Sequence, residues 1–426
     1  ILLVHLADAS LPLVATLSAN AASVDAEGWT TLDGCDFQIK GGTPGDENSG
    51  DYYFADGILH IRSSAPITVR TAPTVDGDGN PILNDEGRPV PSQTSNTIQI
   101  DPGVKGELTL AGVDINTGPD YRVETPSLIN LITNKYDTAD GTAATDGSQI
   151  LHPTSLYLKI KDGTCNTLYT SFVNAAGIRC GEGSILVIDD ELDNRTATNK
   201  EAVVQGGKIV GDTTLVNGTF ISDSSPSSML DSPNPGELLV KSGYSAAGIG
   251  STAEENGGTI TINGGLLTVR VQDCDATSDG SPSFGAGIGA GSFGDGTATT
   301  IKINGGIIDS QGGVHGAGVG GSVANNGARY SRPWSTFYQY VIKSKNSDKT
   351  STYFNNSTAN VAGDIVINGG FVRSKNGFHG AAFGNGCCST NDGHTITVTG
   401  GTLLPSSSRM IAEGVSFPDI GGLGGY

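Results

Sequence analysis

One stretch is repeated four times in the second half of this 426-residue chain: GGTITINGGLLTVR (257–270), TTIKINGGIIDSQGG (299–313), GDIVINGGFVRSKNG (363–377) and GHTITVTGG (393–401). Related runs rich in Gly and Ala separate the copies: AAGIG (246–250), GAGIG (285–289), GAGVG (316–320) and GAAFG (380–384), with a diverged AAGIRCG (175–181) upstream. A spacing of 31 residues separates Ile288 from Val319 and Ile367 from Val398. Insertions lengthen the other spacings, so we interpret the chain as a repeat protein.

Each unit holds three short β-type runs and three bends, which is the content of one coil of a parallel β-solenoid. Because coils stack about 4.8 Å apart, equivalent residues lie above one another. The repeat therefore predicts an inward aliphatic ladder of Ile262, Ile303, Ile367 and Val398. It also predicts a column at a bend, in which Asn takes the left-handed conformation and the amides bond along the stack: Asn263, Asn304, Asn368 and Thr399.

The composition agrees with an all-β protein. Gly occupies 63 positions, and each Gly inside a helix costs about 1 kcal/mol relative to Ala. The 36% of hydrophobic residues can still form a core, which argues against wholesale disorder. With 24 basic and 44 acidic residues the net charge is −20, so we expect no nucleic-acid partner. No run reaches the roughly 18 apolar residues of a membrane span, so we expect a chain that does not cross a membrane.

We predict three regions. Residues 1–29 form an N-terminal apolar segment, 30–405 the solenoid, and 406–426 a C-terminal tail or cap. The opening run ILLVHLADASLPLVATLSANAA (1–22) fits a residual secretory signal, an ordinary first strand or cap, or a strand donated to a neighbouring subunit. Long insertions are expected near 116–154, 189–235, 273–283 and 328–360. Because solenoids tolerate insertions at bends, these loops are the expected binding face.

Most of the chain resembles a known group of proteins. NTIQIDPGVKGELTLAGVDI (96–115), AAGIRCGEGSILVI (175–188) and the serial GAGIG and TITINGG units are similar to bacterial secreted or cell-surface proteins, loosely described as carbohydrate-binding or adhesin-like. The resemblance covers roughly residues 50–404. It implies a single-stranded right-handed parallel β-helix displayed outside the cell, and it supplies no catalytic motif.

The insertion at 328–360 is the sharpest local anomaly. It holds seven of the 26 aromatic residues and five basic residues against one acid. Its candidate binding residues are Tyr330, Trp334, Phe337, Tyr338 and Tyr340. Aromatic faces beside hydrogen-bond donors suit a glycan or a protein partner, and an extra hairpin packed on the solenoid is the alternative.

His315 and His379 occupy the same repeat position, in GVHGAG and GFHGAA. We expect a column beside a bend, exposed enough to titrate near neutrality and to contact a ligand. A chance surface column is the alternative.

Enzymes of β-helix type that cleave polysaccharides use carboxylate pairs or Asp, His and basic residues on neighbouring coils. The chain offers Asp189–Glu191, His315, Arg373 and Lys375, which resemble the ingredients of polygalacturonases. The motif around His315 departs from Gly-His-Gly, and the acids lie over a hundred residues upstream. Hydrolase or lyase activity is therefore an alternative, and no residue is assigned as catalytic.

Metal, disulfide and glycan attachment sites are also candidates. Asp76, Asp78 and Asn80 alternate as in a calcium loop, but Pro81 stands where an EF-hand needs Gly, so a polar hairpin competes with a calcium site. No cofactor other than this calcium is expected. Cys165 and Cys180 follow consecutive strand patterns and could form a disulfide. Asn-x-Ser/Thr motifs occur at four positions: Asn194, Asn217, Asn355 and Asn356.

Together these features favour an extracellular structural or adhesion protein, secreted or on the cell surface, whose loops contact glycans or proteins of a neighbouring surface. The alternatives are a polysaccharide lyase or glycoside hydrolase, and a filament subunit whose partners are copies of itself. An enzyme is the less favoured of these readings.

Overall fold

The computed structural model is all-β, with no helix among the residues that it describes. These are 22–118, 127–131, 135–137, 150–172, 174–191, 207–210, 214–216, 235–253, 255–274, 283–292, 299–322, 363–377, 380–386, 395–406 and 420–421. In that part of the chain, accordingly, no helix has the length and apolar character needed to cross a membrane.

Three long sheets contain nearly all the strands. The first has thirteen, in the spatial order β1 (Ala22–Val24), β2 (Thr30–Leu32), β3 (Phe37–Lys40), β6 (Pro66–Thr71), β9 (Lys105–Leu110), β14 (Ser155–Ile160), β17 (Ile185–Asp190), β22 (Thr259–Ile262), β25 (Thr300–Ile303), β28 (Ile365–Ile367), β31 (Thr395–Val398), β18 (Gly207–Val210) and β19 (Thr214–Val216).

The second sheet has eight strands, in the order β7 (Gln93–Thr94), β10 (Asp114–Asn116), β15 (Cys165–Tyr169), β20 (Glu237–Ser242), β23 (Leu266–Val271), β26 (Ile307–Gln311), β29 (Phe371–Lys375) and β32 (Thr402–Ser406). The third has ten, in the order β4 (Tyr52–Ala55), β5 (Ile58–Ile61), β8 (Thr97–Ile100), β11 (Ile129–Leu131), β16 (Ile178–Cys180), β21 (Ile249–Gly250), β24 (Ile288–Gly289), β27 (Val319–Gly320), β30 (Phe383–Gly384) and β33 (Ile420–Gly421). A separate antiparallel hairpin consists of β12 (Lys135–Asp137) and β13 (Ile150–His152).

From β5 onwards the described residues visit the three sheets in rotation, and among them only the hairpins β12–β13 and β18–β19 interrupt the order. Neighbours within each sheet are then parallel, as between β14 and β17. Antiparallel strands lie at the ends, where β3 pairs with β6 and β18 with β31. This arrangement is compatible with the predicted solenoid. We call one strand from each sheet, in sequence, a coil, and the connection from a first-sheet strand to the next second-sheet strand the first bend.

The predicted aliphatic ladder is confirmed. Strand register places Ile262 beside Ile303, Ile303 beside Ile367 and Ile367 beside Val398, and all four side chains are fully buried. The ladder continues upstream through Ile188, Leu158 and Leu108. Because burying one such side chain contributes about 1.5–3 kcal/mol, these ladders are the main source of stability in the described fold.

The amide column at the first bend is also present. Asn304 Nδ2 donates to Asn263 Oδ1 at 2.8 Å, and Asn368 Nδ2 donates to Asn304 Oδ1 at 2.9 Å. Thr399 Oγ1 completes the column by donating to Asn368 Oδ1 at 2.7 Å.

The expected left-handed Asn is wrong. The second Gly of each Asn-Gly-Gly triplet has the positive φ, as at Gly306 with 87°. The physical reason is steric, since a Cβ at Gly306 would lie 2.9 Å from the carbonyl oxygen of Gly265 on the preceding coil. The Asn side chain is thus free to bond along the stack.

Glycine in the third sheet serves close approach of the coils. Gly289 has φ 138°, and an added Cβ would lie 1.9 Å from the carbonyl oxygen of Gly320 on the next coil. No side chain fits at that distance, so the last Gly of a GAGIG run is needed for the close packing of neighbouring coils.

Two of the predicted segments contain strands of the third sheet. The insertion expected at 116–154 contains a regular third-sheet strand, β11, whose three residues were too short a run to be recognised. The tail expected from 406 contains β33, which pairs in parallel with β30 and extends the third sheet to Gly421. At the other end, β1 pairs with β2 of the same chain. Residues 1–21 lie outside the described residues.

Candidate functional site

A groove lies at the first bend, close to the end of the first sheet that β1, β2 and β3 form. Its volume is about 350 Å³, which is the size of a small-ligand pocket. Segments that are distant in sequence line it, and the residues that matter chemically are Glu27, Trp29, Lys40, Arg70, Lys161, Pro73, Pro89 and Pro91.

A tight turn positions Trp29 in this groove. Asp25 Oδ1 accepts hydrogen bonds from the backbone amides of Glu27 at 2.9 Å and Trp29 at 2.8 Å. Gly28 takes a φ of 83° between them, as such a turn requires. Trp29 is consequently held with only 6% of its surface exposed.

Two cations lie against the Trp29 ring. The Arg70 guanidinium carbon is 4.0 Å and Lys40 Nζ is 4.5 Å from the ring centroid, both within cation–π range. Arg70 is further oriented by Gln38 on the adjacent strand, because its Nε donates to Gln38 Oε1 at 2.7 Å. The ring therefore fixes two positive charges at the wall of the groove.

The groove is positively charged although the whole chain has a net charge of −20. The lining of the groove contains three basic residues, Lys40, Arg70 and Lys161, and one acid, Glu27, whose carboxylate is 3.5 Å from Arg70. Within the described residues, Lys40 and Lys161 form no ion pair. A ligand with carboxylate or sulfate groups is the chemical match for this surface.

Pro89 and Pro91 reach the groove from the loop of residues 72–92, which forms two successive turns. Asp76 Oδ1 accepts bonds from the amides of Asp78 at 3.0 Å and Asn80 at 2.9 Å. Asn84 repeats the arrangement eight residues later by accepting from the amide of Arg88 at 2.9 Å. These bonds make the loop a rigid wall.

The same geometry bears on the predicted calcium residues. Asp76, Asp78 and Asn80 form the exposed tip of a polar hairpin, with bridge partners Val75 and Pro81 at its base. The amides of Asn80 and Asp78 hold the pKa of Asp76 below its usual value. The competing hairpin interpretation describes this tip, and calcium binding there stays a prediction.

The second turn of the loop of residues 72–92 contacts the second sheet at the thiol of Cys165, the first residue of β15. Arg88 Nη1 is 2.9 Å from Glu237 Oε1 and 3.4 Å from Cys165 Sγ. Glu86, Cys165 and Glu237 place ligand atoms within 4.8 Å of one another, the spacing of a metal site. The buried guanidinium of Arg88 already supplies the positive charge there, so the cluster is an anchor for the loop.

The expected disulfide between Cys165 and Cys180 is not formed, and both are free thiols. They belong to different sheets: Cys165 begins β15, whereas Cys180 ends β16 with its thiol directed to the carbonyl oxygens of Ser184 and Thr259 at 3.6 Å. Burial raises the pKa of the Cys180 thiol far above its usual value.

The polygalacturonase-like set is not assembled. Asp189 and Asp190 end β17 at the first bend and are 2% and 3% exposed. Arg373 lies on β29, where its Nη1 is 3.5 Å from Asp309 Oδ2. His315 follows β26 at the bend between the second and third sheets, so these groups do not share a surface.

The expectation of an exposed histidine column is wrong for His315. Its side chain is 3% exposed and packs on Phe284 with ring centroids 5.4 Å apart. Asn174, Ser245 and Phe284, at the equivalent positions of other coils, are buried as well. The column is interior, and the small Gly and Ala neighbours of these positions in the sequence do not reveal which side faces solvent.

Several predicted residues lie outside the part of the chain that the structure describes. They are the aromatic candidates Tyr330, Trp334, Phe337, Tyr338 and Tyr340, the second histidine His379, and the glycosylation motifs at Asn194, Asn217, Asn355 and Asn356. They stay predictions.

A second polar cluster lies on the third sheet. His60 Nδ1 is 2.9 Å from Asp101 Oδ1, Gln99 Nε2 donates to the same oxygen at 3.1 Å, and Tyr53 stacks on His60 at 4.3 Å. These groups bond to one another, so we assign the cluster to the packing of the first coils.

None of the groove residues is recognisable from the sequence alone. Trp29, Lys40, Arg70 and Lys161 come from four segments, and no local motif joins them. Comparison with protein-family models, curated proteins and solved structures finds no match for this chain.

Proposed function

We propose that the chain is a right-handed parallel β-helix acting at the extracellular or cell surface as an adhesion protein, and that its groove binds an acidic glycan. The rotation of strands through three sheets and the continuous buried ladders support the architecture. The observation that carries the function is the groove itself, where Trp29 fixes the charges of Lys40 and Arg70 beside Lys161.

The chemistry of the groove suits a sugar acid. Carboxylate or sulfate groups would pair with Lys161 and Arg70, and the rigid proline wall would contact the apolar face of a sugar ring. Because the chain as a whole has a net charge of −20, we expect an acidic polymer to be attracted only where basic residues cluster. Binding should therefore weaken as salt screens these charges.

Isothermal titration with oligogalacturonate, a sulfated oligosaccharide and a neutral oligoglucan tests the proposal. We expect an acidic glycan to bind and Lys161→Gln to weaken that binding roughly 3- to 10-fold, since one charge-assisted contact is lost. Lys302→Gln is the matched control, because Lys302 is an exposed lysine on β25 of the same sheet. The proposal fails if no acidic glycan binds, or if both variants bind like the wild type.

The same samples separate an adhesin from an enzyme. If the chain is a lyase or hydrolase, unsaturated products or new reducing ends will accumulate during incubation with oligogalacturonate. An adhesin binds and releases the oligosaccharide unchanged. The insertion at 328–360 is proposed as a further contact with a glycan or protein partner, on the strength of its aromatic content alone.

A further inference from the structure

A group of carboxylates lies on the first bend next to the groove. Asp162 follows β14. On the next coil, Asp189 and Asp190 end β17 and Glu191 follows them directly. The first bend of the following coil contains Gly264 and packs directly against Asp189 and Asp190. An added Cβ on Gly264 would lie 2.7 Å from Oδ1 of each aspartate. Only glycine leaves room for the two carboxylates at this place.

The carboxylates differ in their partners. Asp189 Oδ2 accepts from the Tyr157 hydroxyl at 2.9 Å, and its Oδ1 accepts from the backbone amide of Asp190 at 3.1 Å. Asp190 is 3% exposed, yet neither of its oxygens has a hydrogen bond of normal geometry. Asp162 Oδ1 is likewise buried without a partner.

No cation neutralises this group within the described residues. Lys159 is the basic residue closest in register, beside Asp189 on the neighbouring strand, and its Nζ pairs instead with Glu107 Oε1 at 2.7 Å. Glu191 adds a fourth acid, with its Oε2 accepting from the amide of Asp162 at 3.3 Å. An unpaired buried carboxylate costs several kcal/mol, so such a group normally acquires a compensating partner.

We infer that this part of the first bend is a divalent-cation site in which Asp190 and Asp162 supply the protein ligands and Ca²⁺ is the matching ion. Carboxylate oxygens are the ligands that Ca²⁺ prefers, and its flexible coordination accepts water in the remaining positions. Water is needed because Asp162, Asp189 and Asp190 do not all place an oxygen within 4.8 Å of one another. Asp162 is partly exposed, so this side of the proposed site lies near solvent.

Calorimetric titration of the full chain with CaCl₂, after treatment with EDTA and dialysis at pH 8, tests the inference. We expect about one equivalent of Ca²⁺ to bind and Asp190→Asn to weaken binding at least tenfold, because an amide lacks the charge. Asp76→Asn, in the loop whose sequence resembles a calcium site, should keep the binding event that Asp190→Asn weakens, whether or not that loop binds a second ion. The inference is overturned if the wild type does not bind millimolar Ca²⁺, or if Asp190→Asn binds equally well.

Thermal unfolding guards against a folding defect in the variant. Asp190→Asn should keep the β-sheet circular dichroism spectrum and unfold cooperatively, since the amide is nearly isosteric. Added Ca²⁺ should raise the melting temperature of the wild type and of Asp76→Asn but not of Asp190→Asn. A Ca²⁺-induced rise of equal size in all three proteins would place the ion elsewhere and overturn the inference. No glycan is present, so the outcome is independent of the proposed function.

Discussion

Two neighbouring aspartates on β17 show how environment decides the chemistry of one residue type. Asp189 has a hydroxyl and an amide donor, whereas Asp190, in register with the buried Ile160, has no hydrogen bond of normal geometry. Burial, and next the negative charges of Asp189 and Asp162, raise the pKa of Asp190 from 3.8 to about 7. The amides of Asp190 itself and Gly265 lower it, but by less.

This raised pKa predicts a pH dependence of folding in EDTA. The folded protein holds the Asp190 proton more tightly than the unfolded chain, so its stabilising effect is complete below about pH 4 and is lost as pH rises through about 7. Asp190→Asn cannot titrate there. We expect the stability of the wild type relative to this variant to fall by on the order of 2–4 kcal/mol between pH 4 and pH 8.

Urea unfolding of both proteins across that pH range measures the difference. Changes caused by other titrating groups occur in both proteins and cancel. A difference that stays constant with pH would show that Asp190 titrates as an ordinary exposed aspartate.

At the scale of an element, the column of amides along the first bend joins four coils through side chains. Asn304 and Asn368 each donate and accept, Asn263 accepts at one end and Thr399 donates at the other, so side-chain hydrogen bonds connect β22 to β31 in addition to the backbone ladders. Asn263 is buried and Asn368 is exposed, so the column passes from the interior to the surface.

We predict that Asn304→Ala destabilises the fold by about 1–2 kcal/mol, because it removes two side-chain hydrogen bonds and leaves Asn263 and Asn368 without that neighbour. Lys302→Ala, two residues earlier on the exposed face of β25, should change stability by less than about 0.5 kcal/mol. Equilibrium unfolding in urea measures both. If both substitutions change the free energy of unfolding equally, the hydrogen bonds of the column make no net contribution to stability.

At the scale of the whole molecule, the coils continue across insertions of very different length. Ten residues connect β24 to β25, whereas 44 connect the corresponding strands β27 and β28. Nevertheless β25 pairs with β28 in the same register as β22 with β25. The packing of neighbouring coils therefore sets the register, and the connection only has to be long enough.

Replacing residues 323–362 with a ten-residue Gly-Ser linker should consequently keep the fold. We expect an unchanged β-sheet circular dichroism spectrum and a free energy of unfolding within about 1 kcal/mol of the wild type, since loop length costs little entropy. Oligogalacturonate binding at the groove should persist, because Trp29, Arg70 and Lys161 lie on or beside β2, β6 and β14, which β17, β22 and β25 separate from β28 in the first sheet.

Ile367→Asp is the destabilising control for this deletion, because it puts a charge into the fully buried ladder. If the linker variant unfolds as readily as Ile367→Asp, the insertion is part of the core rather than an appendage. If it folds but loses oligogalacturonate binding, the insertion and not the groove contacts the glycan.

The repeated segments were enough to predict parallel stacked strands, the aliphatic ladder of Ile262, Ile303, Ile367 and Val398, and the amide column. In a repeat fold each residue contacts its equivalents in neighbouring units, so spacing along the chain translates directly into contact in space. The repeats predict less well which side of a bend faces solvent, since His315, expected at the surface, is buried.

The sequence by itself thus determined the all-β repeat architecture and the places where only glycine fits. The tertiary structure alone decided where charges and rings meet. Trp29, Arg70 and Lys161 form one groove, and Asp162 and Asp190 one acidic bend, because stacking brings together residues that no local pattern connects. A repeat specifies which positions coincide, whereas the chemistry of a site depends on non-repeating side chains at those positions.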